Sequence, residues 1–271
     1  MRALVIGGGG TRGAFSAGVL EELHTLGFGA EFFDYIVGSS AGGCQAAYFS
    51  TGQTGEIVRA FTEHVPENFI YAQYGISRVD LVWLERLFRE IEPLSVSALR
   101  AAKPRVYATV SNITRERSEC VCLNDADDPV CVIVAGAAMA FFSPPVFWND
   151  GVYCDGALGE PIPFRRAVEA GADEIWVIVN VPRGFRRKAL RLRLISPFAS
   201  RHKYVRRLIR RRAGEENKAM SWLEQARCTV IYPTHAVVIS NRSRDTDALR
   251  ATIAMGRAAA REVLCDKKLV R

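Results

Sequence analysis

The chain has 271 residues and a net charge of +7, and 49% of its residues are apolar and 24% charged. This composition is typical of a soluble globular protein with one large α/β domain or two small ones. Its seven cysteines form no CxxC pair, which predicts free thiols in a reducing compartment rather than a disulfide scaffold. The longest apolar run, Val130 to Phe142, is shorter than the about 20 residues of a membrane span. Since the N-terminus also lacks the apolar core of a signal peptide, we expect a cytoplasmic protein.

Short apolar strands alternate with helices along the first half of the chain. A buried strand is predicted over Ala3–Ile6, and apolar residues recur at helical spacing from about Gly13 to Leu26. The following elements are a strand over Phe33–Val37, helices over Ala41–Ser50, Gln53–His64 and Val79–Glu90, and a strand over Arg105–Asn112 that can pair with Cys120–Leu123.

The second half continues this alternation. Val130–Phe142 begins with β-branched residues and ends rich in alanine, so that strand and helix both remain open. The other elements are a helix near Phe164–Ala170, strands over Glu174–Val181 and Thr229–Tyr232, and a helix over Thr246–Leu264. The pattern predicts an α/β fold with a mainly parallel sheet covered on both faces. No linker divides the chain, so we expect one domain over residues 1–271, with a core over about 3–182 and a basic region over about 183–271.

Much of the positive charge lies in one segment. Between Arg183 and Arg212 there are 13 Lys or Arg residues and no Asp or Glu. Within it, Tyr204, Val205, Leu208 and Ile209 fall at helical spacing. A basic amphipathic helix of this kind can lie on an anionic membrane surface, or its apolar stripe can pack on the domain. No motif that reads DNA or RNA is present, so nucleic acid is not an expected partner.

The turn Gly8–Gly13 has the pattern GxGxxG between a strand and a helix. A dinucleotide site would need an acidic residue at the end of the second strand, whereas Asp34 lies at its start. The pattern also suits an oxyanion hole, because glycines allow backbone N–H groups to point into a cleft at a helix N-terminus. Arg12 favours an acyl or phosphate oxygen as the ligand. A purely structural turn is the third interpretation.

The segment from Gly38 to Gly42 has the pattern GxSxG, with Ser40 at its centre. It follows a predicted strand and precedes a predicted helix, which is the context of a nucleophile elbow. Small residues are needed on either side of Ser40 because the backbone is crowded there. Ser39 is the competing nucleophile, and a helix start that Ser40 merely caps is the structural alternative.

A serine nucleophile needs a base, which is usually a histidine. Of the four histidines, only His235, after the last strand, has a position like that of a catalytic triad. The alternative base is Asp155, which Gly156 and Ala157 follow. These small residues suit a second catalytic loop where backbones approach closely, although Asp-Gly is also an ordinary turn signal.

The Gly8–Gly13 turn, the Gly38–Gly42 elbow and the Asp155–Ala157 segment resemble, in order and spacing, the three motifs of patatin-like phospholipases. The resemblance runs from about residue 3 to residue 180. It implies a three-layer α/β/α fold and a Ser40–Asp155 dyad without histidine. It also implies an oxyanion hole at Gly9 and Gly10, with Arg12 matching the family's usual basic residue.

The resemblance further implies a lipid acyl hydrolase that cleaves carboxylic esters through an acyl-enzyme and needs no metal or cofactor. Two alternatives stay open: an esterase or thioesterase acting on soluble acyl esters, and a non-catalytic module that binds lipid or protein. If the Arg183–Arg212 segment contacts anionic lipid, the protein would be peripheral at the inner face of the membrane.

Overall fold

The computed structural model describes residues 1–73, 76–235 and 239–269. The strands are β1 (Arg2–Ile6), β2 (Tyr35–Ser39), β3 (Ile70–Gln73), β4 (Ile76–Val79), β5 (Arg105–Asn112), β6 (Arg117–Cys122), β7 (Val146–Trp148), β8 (Gly151–Asp155), β9 (Glu174–Ile178) and β10 (Thr229–Ile231). The helices are α1 (Ala14–Thr25), α2 (Ala41–Ser50), α3 (Thr54–Arg59), α4 (Leu81–Arg86), α5 (Val96–Ala101), α6 (Pro129–Gly136), α7 (Phe164–Glu169), α8 (Ala189–Ile195), α9 (Lys203–Gln225) and α10 (Thr246–Asp266).

The central sheet is mainly parallel, as the sequence predicts. Its order is β10-β9-β1-β2-β5-β8-β7, and β10, β9, β1, β2 and β5 run parallel to one another. β8 pairs antiparallel with the last three residues of β5, β7 pairs antiparallel with β8, and β6 pairs antiparallel with β5. The predicted pairing of residues 105–112 with 120–123 is therefore confirmed, and it extends back to Arg117.

The two faces of the sheet bury two separate apolar clusters. In β1, Leu4 and Ile6 belong to one cluster, together with residues of α1, α2 and α10. Ala3 and Val5 belong to the other, together with residues of α7 and α9. This alternation follows from the period of two along a strand, and it gives the three-layer α/β/α arrangement.

Several element boundaries differ from the predictions. The ambiguous run from residue 130 begins as helix α6, because Pro129 occupies the first turn and the carboxylate of Asp128 accepts a hydrogen bond from the Cys131 N–H at 3.1 Å. The helix predicted from Val79 begins instead at Leu81, after the Asp80 cap and the unpredicted hairpin β3–β4.

The apolar stripe of the basic segment faces inward. Its four apolar residues on α9 are all buried: Tyr204, Val205, Leu208 and Ile209. Of the two interpretations given above, the stripe therefore fits the second, in which it packs on the domain. The exposed apolar side chains of the segment lie earlier, on α8 and just after it.

Helices α1 and α10 approach each other closely at two glycines. A Cβ at Gly256 would lie 2.1 Å from the carbonyl oxygen of Phe15, and one at Gly18 would lie 2.0 Å from that of Ile253. We expect Gly256→Ala to lower the free energy of unfolding by about 3 kcal/mol, since the backbones would have to separate.

The matched control for this prediction is Gly214→Ala on α9, where no atom lies within 4 Å of the added methyl. It is expected to stabilise the protein by about 0.5–1 kcal/mol, because alanine favours a helix interior. Urea denaturation of both variants measures the two effects, and equal stability of both would contradict the close-packing argument.

Candidate active site

The sheet topology brings Ser40 and Asp155 together. β2 runs parallel to β5 and ends with Ser39 opposite Thr109. β8 runs antiparallel to β5 and ends with Asp155 opposite Val110. Because β6 occupies the other edge of β5 along the same residues, β2 and β8 share one edge and terminate facing each other. The residues at their ends are therefore neighbours.

The backbone at Ser40 has the strained conformation of a nucleophile elbow. Its φ is +54° and its ψ is −125°, a region that residues other than glycine rarely adopt. A Cβ at Gly38 would lie 2.0 Å from the Gly42 carbonyl oxygen, and one at Gly42 would lie 2.3 Å from that of Ile6. Both glycines are therefore required for the turn that places Ser40 at the start of α2.

The Asp155 carboxylate is held by hydrogen bonds to both of its oxygens. Ser40 Oγ donates to Oδ2 at 3.1 Å, and the Ala157 N–H donates to Oδ1 at 2.8 Å. Ser111 Oγ donates to the Asp155 carbonyl at 3.0 Å, which fixes the end of β8. Ser40 and Asp155 are only 7% and 6% exposed.

Burial raises the pKa of Asp155 above its ordinary value. Attraction to Arg212 and the hydrogen bonds from Ala157 and Ser40 oppose the rise. The carboxylate is thus made more basic than in water, and neighbouring groups still favour its ionised form.

The rival candidates are placed elsewhere. The Ser39 hydroxyl is fully buried and accepts a hydrogen bond from Thr109 Oγ1 at 2.9 Å. His235 is exposed and its Nδ1 contacts Thr234 Oγ1. All four histidines lie in the described ranges, and none hydrogen-bonds to Ser40.

Asp34, at the start of β2, pairs with Lys103 and binds the Arg2 N–H, at the end of the strand away from the glycine turn.

The glycine turn lies against both other motifs. A Cβ at Gly8 would lie 2.9 Å from that of Ala157 and 3.5 Å from that of Ser40. Gly9 and Gly10 line a cavity with Ser40 and Asp155. Among the described residues, no acceptor receives a hydrogen bond from either of their N–H groups, so both are available to a ligand.

Two amide side chains that the sequence did not indicate brace this turn. Asn180, just after β9, donates to the Gly7 carbonyl at 2.9 Å and accepts from the Ser16 N–H at 3.2 Å. Gln45 on α2 donates to the Gly13 carbonyl at 2.7 Å. Neither residue belongs to a recognisable motif: Asn180 is a single amide after β9, and Gln45 lies in the middle of α2, so no sequence signal indicates them.

Two cavities meet at Ser40. One is almost wholly apolar and leads under α3 and α4; its lining includes Ile57, Phe61, Val65, Phe69, Leu84, Leu87, Phe88 and Met139. The other has a volume of about 330 Å³ and contains Asp155, the glycine turn and three arginines. The serine thus lies between an apolar cavity and a polar cavity that carries positive charge.

The described ranges contain neither a membrane-spanning helix nor a cluster of metal ligands. No helix within residues 1–73, 76–235 and 239–269 combines the length and hydropathy that crossing a bilayer demands. Over the same ranges, no cluster of three or more His, Cys, Asp or Glu side chains is placed to bind a metal ion.

Comparison with known proteins gives matches at three levels. A family model described as "Patatin-like phospholipase" matches residues 4–168, more than half of the chain. The uncharacterized protein YjjU of Escherichia coli K12 is 28% identical over 200 residues, which span 66% of this chain and 52% of that protein. The crystal structure of VipD from Legionella pneumophila has a similar fold, with a TM-score of 0.57 and 12% identity, over 98% of this chain and 67% of that one.

Proposed function

The chain belongs to the patatin-like phospholipase family, and on this premise we propose that it hydrolyses the carboxylic ester of a lipid, with Ser40 as nucleophile and Asp155 as general base. The observation that carries this proposal is the hydrogen bond from Ser40 Oγ to the buried Asp155 carboxylate. The family match supports lipid acyl hydrolysis in general, and the geometry of the site supports the individual roles.

In the proposed first step, Asp155 Oδ2 takes the proton of Ser40 Oγ as that oxygen attacks the ester carbonyl. The carbonyl oxygen becomes an oxyanion, and the free N–H groups of Gly9 and Gly10 stabilise it. One such donor is typically worth about 3 kcal/mol of transition-state stabilisation. Asp155 then returns the proton to the departing alcohol, which leaves an acyl-enzyme on Ser40.

The second step reverses the same roles. Asp155 takes a proton from water, the resulting hydroxide attacks the acyl-enzyme, and the proton returns to Ser40 Oγ as the fatty acid leaves. The strained Ser40 backbone and the braced glycine turn hold the reacting atoms in place without rearrangement.

The apolar cavity supports an acyl chain as one part of the substrate. Its side chains come from α3 and the helical segment after it, and from α4 and the residues that follow it, and Ser40 belongs to the same lining. This favours a lipid over a small soluble ester, and the paired Ser40 and Asp155 disfavour a non-catalytic module. The experiment that tests the function is labelling by a fluorophosphonate together with hydrolysis of acyl esters of increasing chain length, for which we expect rates to rise with length.

The same proposal includes contact with an anionic membrane through α8 and the turn after it. Leu190, Leu194 and Phe198 are 70%, 65% and 82% exposed. The segment Arg183–Arg212 that contains them carries no acidic residue, and Leu192 and Ile195 on the same helix line the cavity at Ser40. An apolar, positively charged surface at the mouth of the site suits a lipid surface that delivers substrate.

We expect the triple variant Leu190→Ser/Leu194→Ser/Phe198→Ser to lose most of its binding to phosphatidylglycerol vesicles in co-sedimentation. The control is Val168→Ser on α7, an exposed apolar residue that lines neither cavity at Ser40. Hydrolysis of a soluble ester is expected to be unchanged in both variants. Equal vesicle binding by the triple variant and the wild type would refute the contact.

A further inference from the structure

Three arginines from distant parts of the chain line the cavity beside Ser40. Arg12 belongs to the glycine turn, Arg187 lies just before α8, and Arg212 lies on α9. The last two fall outside residues 4–168, the segment that carries the family resemblance. Both lie in the C-terminal region of the chain.

These guanidinium groups have fewer anionic partners than charges. Arg187 binds the Glu216 carboxylate through Nε and, at 3.0 Å, through Nη2. Arg212 donates to the carbonyl of Ala157, which is neutral. In the described part of the chain nothing accepts a hydrogen bond from the Arg12 guanidinium, and its Nε is buried. Within the described residues, Glu216 and the proposed base Asp155 are thus the carboxylates that face the three cations.

A buried cluster of three cations with too few carboxylate partners destabilises the protein unless an anionic ligand neutralises it. Burial lowers the pKa of Arg12 to about 10, and repulsion from Arg187 and Arg212 contributes. Arg12 nevertheless stays charged at neutral pH. A buried cation without an anionic partner has nothing to offset the free energy lost when it leaves water. An anion bound in this cavity would supply that partner.

On the basis of the proposed function, we infer that Arg12, Arg187 and Arg212 form a subsite for the phosphate of the substrate's head group. Guanidinium groups bind phosphate oxygens in pairs and with planar geometry. Ser40 opens into this cavity on one side and into the apolar cavity on the other. A glycerophospholipid presents its acyl chain and its phosphate on opposite sides of the ester, which matches this arrangement.

The test compares two substrates with the same short acyl chain, both monomeric in solution: a lysophosphatidate and the corresponding monoacylglycerol. Because Arg187→Met alone would leave Glu216 without its partner, the variant is Arg187→Met/Glu216→Gln. We expect its kcat/KM for the lysophosphatidate to fall about 10- to 100-fold, as the loss of charged hydrogen bonds predicts. Its kcat/KM for the monoacylglycerol is expected to change by less than about threefold.

The matched control is Arg211→Met, which removes an exposed arginine next to Arg212 that lines neither cavity. Both of its rates are expected to equal those of the wild type. An equal loss on both substrates in the Arg187→Met/Glu216→Gln variant, or an unchanged preference for the phosphorylated one, would overturn the subsite.

A second measurement needs no variant. Glycerol 3-phosphate is expected to slow fluorophosphonate labelling of the wild-type protein, whereas glycerol is not. Protection by inorganic phosphate without any preference between the two esters would assign the cluster to free phosphate and overturn the head-group assignment. Wild-type protein that neither labels nor hydrolyses either ester would instead refute the proposed function, so the two failures are distinguishable.

Discussion

Replacing Ser40 with alanine is expected to lower kcat for ester hydrolysis by a factor of about 10⁶ and to abolish covalent labelling by a fluorophosphonate. In the proposed mechanism Oγ is the atom that bonds to the acyl group, and alanine has no atom that can replace it. The fold is expected to persist, because Asp155 keeps its hydrogen bond from Ala157. Circular dichroism and thermal unfolding check the fold beside the rate measurement.

Ser39→Ala is the matched control for this prediction. Its hydroxyl accepts from Thr109 on the buried side of the strand, so its removal is expected to destabilise the protein by about 1 kcal/mol and to leave labelling intact. If Ser40→Ala were still labelled while Ser39→Ala was not, the neighbouring serine would be the nucleophile.

The three motifs of the site could be predicted from the sequence because each lies directly at the end of a strand or the start of a helix. Gly38–Gly42 and Asp155–Ala157 carry their own local backbone requirements, so pattern and position agree. Their meeting point was implied by the family resemblance alone and not by the local patterns, because it depends on β2 and β8 sharing one edge of β5. That relation is set by pairing between distant strands and leaves no local trace.

The basic segment shows a second limit of prediction from the sequence. Its charge was apparent from composition, but Arg187 and Arg212 turn toward Ser40 while Arg211 is exposed. Adjacent arginines on one helix differ in this way only because α9 packs on the domain through its apolar stripe. Asn180 likewise gives no sequence signal, since a single amide after a strand is common and its hydrogen bonds to the glycine turn appear only in the fold.

Replacing Asp155 with asparagine is expected to lower kcat by a factor of about 10⁴, the scale seen when a catalytic carboxylate is replaced by its amide. Asparagine can retain the hydrogen bond from the Ala157 N–H, but it cannot accept the Ser40 proton. The loss is therefore expected in the chemical step, with labelling by a fluorophosphonate slowed in parallel. His235→Ala is the control, and its rate is expected to match that of the wild type.

The pH dependence separates a base from a merely structural carboxylate. As the proposed base, Asp155 must be ionised to act, and burial raises its pKa, so activity is expected to fall with decreasing pH at values above the ordinary range for aspartate. The charge of Arg212 lowers the pKa of Asp155. Removing that charge is therefore expected to move the acid limb of the activity profile to still higher pH. An Asp155→Asn variant with wild-type rate and an unchanged acid limb would contradict the role of Asp155 as base.

The stability of the fold is expected to change with pH in the direction opposite to the activity. A carboxyl group whose pKa is raised in the folded state favours folding most fully below its unfolded pKa, and that contribution is lost as the pH rises through its folded pKa. Where Asp155 is ionised, as the proposed base must be, its burial carries a cost that asparagine avoids. Asp155→Asn is expected to unfold at a higher temperature than the wild type at pH 7, and the difference is expected to shrink in acid. Such a result would support the proposed chemistry with Ser40 as the reason for a carboxylate at this position, since packing alone would favour the amide.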